Sequence, residues 1–208
     1  MKIKAFSFFA SLMLSLWSMN AHGEDVTYID HTVDKSGVIP VVTTVERTVT
    51  IGGTNAIDGT NVIDGNGLAA CLNATSGNVE LYNKTVVLNS SQDFNKPIVC
   101  WGTVNIILCD GYTLNCTAMI NVASGHALNI YGQTNNTGQL VVHGGNDNAG
   151  IGSIKDIYAG KINIHGGTIN ATGGQYSAGI GGGTHRGFDV RPLYGGLNIY
   201  GGNVTAHG

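Results

Sequence analysis

The last third of the chain repeats one short pattern of alternating apolar and polar residues. Ala127-Leu-Asn-Ile-Tyr-Gly132 returns as Lys161-Ile-Asn-Ile-His-Gly166 and as Gly196-Leu-Asn-Ile-Tyr-Gly201, at intervals of 34 and 35 residues. A second alternating segment follows each copy, at 140–145, 169–174 and 204–208. Short alternating segments that are separated by glycine and recur at a near-constant interval predict strands stacked into a solenoid.

The alternation also assigns each residue of the repeat to a face of its strand. Leu and Ile of each copy point to one side and stack into an aliphatic core, while their neighbours point to the other side. Stacked parallel strands place equivalent residues about 4.8 Å apart. The outward positions therefore form two columns, Asn129, Asn163 and Asn198 in one and Tyr131, His165 and Tyr200 in the other.

The N-terminus has the features of an export signal. Lys2 and Lys4 precede an apolar stretch at 5–19, and Ala21-His22-Gly23 supplies the small residues of a cleavage site. The apolar stretch is shorter than the roughly 20 residues of a membrane-spanning helix, which disfavours a retained anchor. We therefore predict a signal peptide at 1–23 and an exported protein at the cell surface or in the extracellular space, with the periplasm as the alternative.

Downstream of the signal the pattern divides the chain into two parts. Residues 24–95 are predicted to form an N-terminal cap and the first irregular coils, and 96–208 the regular repeats, which stop within a repeat and so suggest a longer parent protein. Strands at 26–30 and 41–49, around a turn at 35–37, are predicted to cover the first coil. Beyond the signal, no stretch of ten residues has the three-to-four spacing of an amphipathic helix.

Charge and cysteine content narrow the class of protein. Without Lys2 and Lys4 the chain carries eight basic and 13 acidic residues, a net charge of −5, which argues against a nucleic-acid partner. Four cysteines remain after export: Cys71, Cys100, Cys109 and Cys116. They permit two disulfides with three connectivities, or else serve as small buried apolar residues.

The repeat resembles a known group of exported proteins. Segments such as 104–114, Leu128-Asn-Ile-Tyr-Gly-Gln133 and the Ala-Gly-Ile-Gly motifs at 149–152 and 178–181 are similar to those of β-helix surface proteins from Bacteroidetes and Firmicutes, often called carbohydrate-binding-domain or adhesin-like proteins. The resemblance spans roughly 26–208 and implies no catalytic residues. The predicted fold is an all-β, right-handed parallel β-helix (solenoid) with an irregular N-terminal cap.

The leading functional hypothesis is a non-catalytic module that binds carbohydrate or forms an adhesin-like stalk. Aromatic rings stack on sugars and Asn both donates and accepts hydrogen bonds, so the two outward columns are the candidate binding residues. Such ladders also hold parallel stacks together without any ligand. The expected partners are polysaccharides or surface glycans, together with self-association through the open C-terminal coil.

Two alternative hypotheses are that the protein is an enzyme and that it binds a metal ion. A polysaccharide lyase or glycoside hydrolase would need a catalytic cluster, for which the polar segment 184–192 offers the best local residues: His185, Arg186, Asp189 and Arg191. The other interpretation of this segment, and the favoured one, is a solvated loop between coils. A Ca²⁺ site is conceivable at Asp58, Asp64 and Asn66, where two Asp-Gly turns present oxygen ligands. Asp-Gly pairs are also ordinary turn formers, and no cofactor is expected.

Overall fold

A computed structural model of the chain describes residues 23–55, 57–185 and 195–208. The described part consists of short strands and one nine-residue helix, α1 (Gly65–Asn73). In chain order the strands are β1 (Asp25–Asp34), β2 (Val41–Thr50), β3 (Asn61–Asp64), β4 (Val79–Leu88), β5 (Gln92–Phe94), β6 (Ile98–Leu108), β7 (Thr113–Cys116), β8 (Ile120–Asn121), β9 (Ala127–Gly132), β10 (Gln139–His143), β11 (Ile151–Gly152), β12 (Lys161–Ile164), β13 (Thr168–Thr172), β14 (Ile180–Gly181), β15 (Leu197–Ile199) and β16 (Asn203–His207).

The repeated strands stack in parallel and in register. One series of paired strands is β3-β4-β6-β9-β12-β15, and a second is β5-β7-β10-β13-β16. The first halves of β4 and β6 pair laterally with β8, β11 and β14 in a third series. Ile162 pairs with Leu128 on one side and with Leu197 on the other. The predicted stacking of the repeats is confirmed, whereas the right-handed path of the coil stays a prediction.

The aliphatic core lies between these series of strands. Leu128, Ile130, Ile164 and Leu140 are fully buried in it, as the alternation predicts. Burial of apolar area stabilises such a stack by roughly 25 cal/mol per Å². On the outermost strand, β15, Leu197 and Ile199 are 37% and 52% exposed, because within the described residues no further strand covers them.

The N-terminal hairpin is present, but its position differs from the prediction. β1 and β2 pair antiparallel along their whole length, and Ile29 of β1 pairs with Gly132 of β9. Val26 and Tyr28 pack with outward residues of successive strands in a second apolar cluster, which includes Val62, Val87, Ile107 and Cys109. The hairpin therefore crosses the side of the stack instead of covering its first coil, since the outward positions of the early coils are apolar.

Helix α1 was not predicted, because it has only nine residues, fewer than the ten over which amphipathic spacing was sought, and because Asp64-Gly65 was interpreted as a turn. Asp64 is its N-cap, with a side-chain oxygen that accepts the Gly67 N–H at 2.8 Å. Leu68 enters the main core, and Lys96 Nζ donates to the Leu72 carbonyl at 3.1 Å. Because α1 directly follows β3 and packs on β3, β4 and β5, it covers the core at the first strand of the stack.

All four cysteines are free thiols, so the disulfide alternative is wrong for this structure. Cys100 and Cys116 lie in the main core among aliphatic side chains. Burial raises the pKa of each to about 12, which keeps both neutral and apolar. The other reading of the cysteine pattern, small buried apolar residues, is therefore the one that the structure supports.

Candidate functional site

The predicted Asn column forms a continuous ladder of hydrogen-bonded amides. Asn129 Nδ2 donates to Asn105 Oδ1 at 2.7 Å. Asn163 Nδ2 donates to Asn129 Oδ1 at 2.7 Å, and Asn198 Nδ2 to Asn163 Oδ1 at 2.8 Å. Every amide points the same way along the stack, so the bonds polarise one another.

The ladder ends at a carboxylate on its donor side. Asn105 Nδ2 donates to Asp58 Oδ2 at 2.5 Å and to Thr85 Oγ1 at 2.8 Å. Asp58 Oδ1 accepts the Thr60 hydroxyl at 2.8 Å. A negative charge at this end complements the aligned amide N–H groups, and charge-assisted hydrogen bonds are the stronger kind. Asn105 was missed as a column member, although Asn105 aligns with Asn129 in the strand register.

The second column, of Tyr131, His165 and Tyr200, lies against the N-terminal hairpin. The rings of Tyr131 and His165 stack with centroids 4.6 Å apart, and the Tyr200 ring lies 4.9 Å from His165. From β1, Tyr28 meets Tyr131 edge to face at 4.8 Å, and His31 stacks on His165 at 5.9 Å. His165 is only 7% exposed, and burial raises the pKa of Tyr131.

A buried carboxylate fastens the hairpin to this column. Arg47 Nε donates to Asp30 Oδ2 at 2.6 Å, and the His31 N–H donates to Asp30 Oδ1 at 2.7 Å. His165 Nδ1 lies 3.1 Å from both Asp30 Oδ1 and the His31 nitrogen. Burial alone would raise the pKa of Asp30, but the hydrogen bonds from His165 and Arg47 outweigh it and lower that pKa to about 2.

This cluster predicts that acid weakens the hairpin contact. Burial, and after it the charge on His165, lower the pKa of His31 below its usual 6.5. The contribution of neutral His31 to stability is therefore fully present above pH 6.5 and is lost as the pH falls through the lowered pKa. The Asp30 contribution is present above about pH 4 and is lost as the pH falls towards 2. We expect the free energy of unfolding, measured by urea titration, to fall across both ranges.

Asp30→Asn should lower the free energy of unfolding at pH 7 by about 1–3 kcal/mol and flatten its fall below pH 4. The matched control is Glu46→Gln on the partner strand β2, because the Glu46 side chain is exposed. Equal pH profiles for the wild type and Asp30→Asn would contradict the assignment.

The six predicted binding residues thus form two columns outside the aliphatic core, and each is engaged within the molecule. Amide groups of the first column bond to one another, and ring faces of the second column meet each other and the hairpin. A sugar would need those same amides and ring faces. A ligand surface is therefore better sought where aromatic and polar groups are exposed.

Such a surface lies on the sheet formed by β8, β11, β14 and the first halves of β4 and β6. Tyr82 and Trp101 occupy paired positions, and their rings stack with centroids 5.8 Å apart and planes within 7°. The His126 ring meets Trp101 edge to face at 5.0 Å, and its Nδ1 accepts the Gly102 N–H at 2.9 Å. Tyr82 is 55% exposed. We call these three residues the aromatic face.

Two concavities flank the aromatic face. The corner groove, of about 410 Å³, is lined by Asn83, Thr103, His126 and Lys161 and by glycines at the corners of successive coils. Gly102 is required there, because its φ is +67° and a Cβ would lie 2.1 Å from Asn83 Oδ1. The Asn121 cavity, of about 260 Å³, is lined by the residues Asn78, Pro97, Val99, Thr117, Ala118, Met119, Asn121, Gly145, Asn148 and Ile154.

The structure gives the three calcium candidates local roles. Asp58 ends the Asn ladder, and Asp64 caps helix α1. Asn66 Nδ2 lies 3.4 Å from Asp64 Oδ2. Within the described ranges, no three His, Cys, Asp or Glu side chains are arranged to hold a metal ion.

The candidate catalytic segment is only partly described. Arg186, Asp189 and Arg191 lie outside the described residues. His185 Nδ1 lies 3.5 Å from Asp156 Oδ1, and in the same region Lys155 Nζ donates to Asp147 Oδ2 at 3.3 Å. The predicted signal peptide likewise falls outside the described residues, apart from Gly23.

Tyr82, Trp101 and His126 were missed by the sequence reasoning. Residues 79–88 and 98–108 are both alternating apolar runs, but the sequence reasoning did not align them with each other. Aligning Leu81 with Cys100, as the structure does, places Tyr82 beside Trp101. Two large aromatic residues at equivalent positions of consecutive coils were therefore the available signal.

Comparison with known proteins agrees with the strand stacking. The family model described as "Beta helix repeat" matches residues 162–184 and 197–208, which contain β13, β14, β15, β16 and all of β12 except its first residue. The chain is thus a mostly-β protein that carries β-helix repeats. No curated protein and no solved structure matches it. No helix among the described residues has the length and apolar character needed to cross a membrane.

Proposed function

We propose that this protein is an exported, non-catalytic β-helix module that binds carbohydrate through the aromatic face. The observation that carries the proposal is the stacked pair of the exposed Tyr82 and the half-buried Trp101, which lies near two concavities that contain polar groups. Exposed aromatic rings offer a flat apolar surface to the C–H face of a sugar ring. The rings of Tyr131 and Tyr200, by contrast, both pack against His165 and against residues of the hairpin.

The polar groups near the aromatic face suit hydroxyl recognition. His126 uses Nδ1 to accept the Gly102 N–H, so in the neutral ring Nε2 carries the proton and is a donor. Thr103, Ser124 and Asn83 line the same groove with hydroxyl and amide groups. Sugar sites combine aromatic stacking with a few oriented polar groups in this way.

Export to the cell surface or the extracellular space, and an adhesin-like role there, belong to the same proposal. They rest on the signal-like N-terminus and on the resemblance of the repeats. Self-association through β15 is a separate proposal, supported by the exposed Leu197 and Ile199, and light scattering that finds only monomer would exclude it.

The test is affinity electrophoresis of the purified protein through gels that contain plant, host or bacterial polysaccharides. We expect retardation by at least one polymer, and the same mixtures are assayed for reducing ends and unsaturated products. Release of product would contradict the non-catalytic proposal. Absence of retardation by every polymer, with a folded β spectrum in circular dichroism, would contradict carbohydrate binding.

Tyr82→Ala should weaken retention on the bound polymer by about two- to tenfold. The lost stacking is worth about 0.5–1.5 kcal/mol, and 1.4 kcal/mol corresponds to tenfold in affinity. The matched control is Tyr176→Ala, which removes another highly exposed tyrosine, 78% exposed, from a turn remote in sequence. If both variants bind as the wild type does, the aromatic face is not the site.

A further inference from the structure

We infer that the corner groove is a subsite for the anionic substituent, carboxylate or sulfate, of an acidic sugar. The inference rests on the proposed function and names the class of carbohydrate that the site selects. Its starting point is that the acceptor atoms of two lining side chains are already used. Asn83 Oδ1 accepts the Thr103 N–H at 3.0 Å, and His126 Nδ1 accepts the Gly102 N–H at 2.9 Å.

The side-chain groups that remain for a ligand are mainly hydrogen-bond donors. Asn83 is exposed, and its Nδ2 has no partner within the described residues. The half-buried His126 carries its proton on Nε2, which forms no hydrogen bond in the described part of the chain and is not sealed from solvent. Lys161 adds an ammonium group with three further donors. The hydroxyls of Thr103 and Ser124 also line the groove.

The groove also carries an unpaired positive charge. Lys161 is exposed, and among the described residues it forms no ion pair, unlike Lys155, which bonds to Asp147. None of the described residues that line the groove is acidic. An anion placed there would meet a cation and several donors, and hydrogen bonds to charged groups are roughly twice as strong as neutral ones. A neutral hydroxyl would gain nothing from the charge of Lys161.

The strand register brings these donors close together along the stack. Thr103, Ala127 and Lys161 pair in turn on β6, β9 and β12. His126 immediately precedes Ala127, so His126 and Lys161 belong to adjacent coils, whose strands are about 4.8 Å apart. The His126 ring also meets the Trp101 ring at 5.0 Å. A sugar that contacts the aromatic face at His126 therefore has its substituent within reach of Lys161.

Two matched pairs of soluble polymers test the inference, because the members of each pair differ in an anionic substituent. Polygalacturonate is compared with its methyl ester, and dextran sulfate with dextran. Binding to the immobilised, purified protein is measured by biolayer interferometry in about 0.15 M salt, where a Debye length of about 8 Å screens the net negative charge of the protein. A chelator keeps Ca²⁺ from bridging carboxylates. We expect the acidic member of at least one pair to bind at least threefold more tightly, and that pair identifies the substituent as carboxylate or sulfate.

Lys161→Met is expected to weaken binding of the preferred acidic polymer by about two- to fivefold and to leave binding of its neutral counterpart unchanged. Loss of one exposed ion pair has an effect of this size. The matched control is Lys35→Met, which removes the same charge from an exposed position in the hairpin turn and should bind as the wild type does. Lys161→Arg keeps the charge and should keep the preference. Because Lys161 is exposed at the first position of β12, the melting temperature should stay unchanged in both variants at this position.

Equal binding within both pairs of polymers would overturn the anionic subsite and leave carbohydrate binding standing. A preference that Lys161→Met retains in full, or that Lys35→Met loses equally, would overturn its assignment to the corner groove. If neither acidic polymer binds, in a protein that neutral polysaccharides retard in gels, the acidic ligand alone is rejected. Absence of binding both here and in the gels would reject the proposed function along with it.

Discussion

Gly152→Ala is expected to lower the free energy of unfolding by at least about 3 kcal/mol, the largest single effect that we predict. Gly152 has a φ of +142°, a conformation that residues with a Cβ rarely adopt. A Cβ at this position would lie 1.8 Å from the Gly181 carbonyl oxygen, on the strand that pairs with it. Because the clashing atom belongs to the backbone, the clash could be relieved only if β11 and β14 moved apart.

The control for this variant is Gly37→Ala in the hairpin turn. There the nearest atom to a new Cβ is the Ile39 carbonyl oxygen at 3.6 Å, an ordinary contact distance. We expect a change within about 0.5 kcal/mol for this surface position. Urea denaturation of both variants gives the comparison, and a Gly152→Ala protein as stable as Gly37→Ala would show that the two Ala-Gly-Ile-Gly segments do not stack closely.

The second large effect is expected for Asn163→Ala, which should cost about 2–3 kcal/mol. Asn163 is 9% exposed and both donates to Asn129 and accepts from Asn198. Its removal leaves one acceptor and one donor without partners in the middle of the ladder. Each such group costs about 1–3 kcal/mol when buried, and partial exposure of the two neighbours places the total near the lower end.

Asn170→Ala is the matched control for the ladder. It removes the same side chain from the same coil, but from an exposed position on β13. We expect a change within about 0.5 kcal/mol. Equal free energies of unfolding for the two alanine variants in urea titration would contradict a structural role of the ladder.

The regular part of the fold was predictable because a single constraint fixes it. Once Leu128, Ile162 and Leu197 must share a core, the strand period of two places Asn129, Asn163 and Asn198 in one outward column. The pairing observed between these strands is the one that this argument requires. The same argument gives no information about what lies against the outward column.

The contacts of the second outward column, of Tyr131, His165 and Tyr200, with β1 join residues more than 100 positions apart. Tyr28 meets Tyr131 and His31 meets His165, yet neither pair belongs to a repeat. The hairpin has an apolar face on Val26 and Tyr28, and the sequence alone allows it to cover either an end or a side of the stack. The choice depends on outward apolar residues such as Val87 and Ile107, which alternation assigns to the surface.

The aromatic face was missed for a local reason. The register of β4 and β6 shifts between Tyr82 and Lys84, where Asn83 and Gly102 both have positive φ. Each of these long strands therefore bends at this point and contributes residues to two faces of the stack. The alternation of inward and outward residues is interrupted at the bend, so counting every second residue across it no longer identifies the outward side chains. Helix α1 was missed for a different local reason, since its nine residues are too few for the amphipathic spacing that was sought and it begins at an Asp-Gly pair.

The most direct test of the aromatic face uses Trp101 as its own reporter. The chain has two tryptophans, and Trp17 lies in the predicted signal peptide, so the protein produced from residue 24 onwards contains Trp101 as its only tryptophan. This protein is titrated with a polysaccharide that retards it in gels, while the emission maximum and quenching by acrylamide are recorded. We predict a blue shift and reduced quenching that saturate with binding. Saturable binding that leaves both the emission and the quenching of Trp101 unchanged would contradict the proposal that carbohydrate binds at this face.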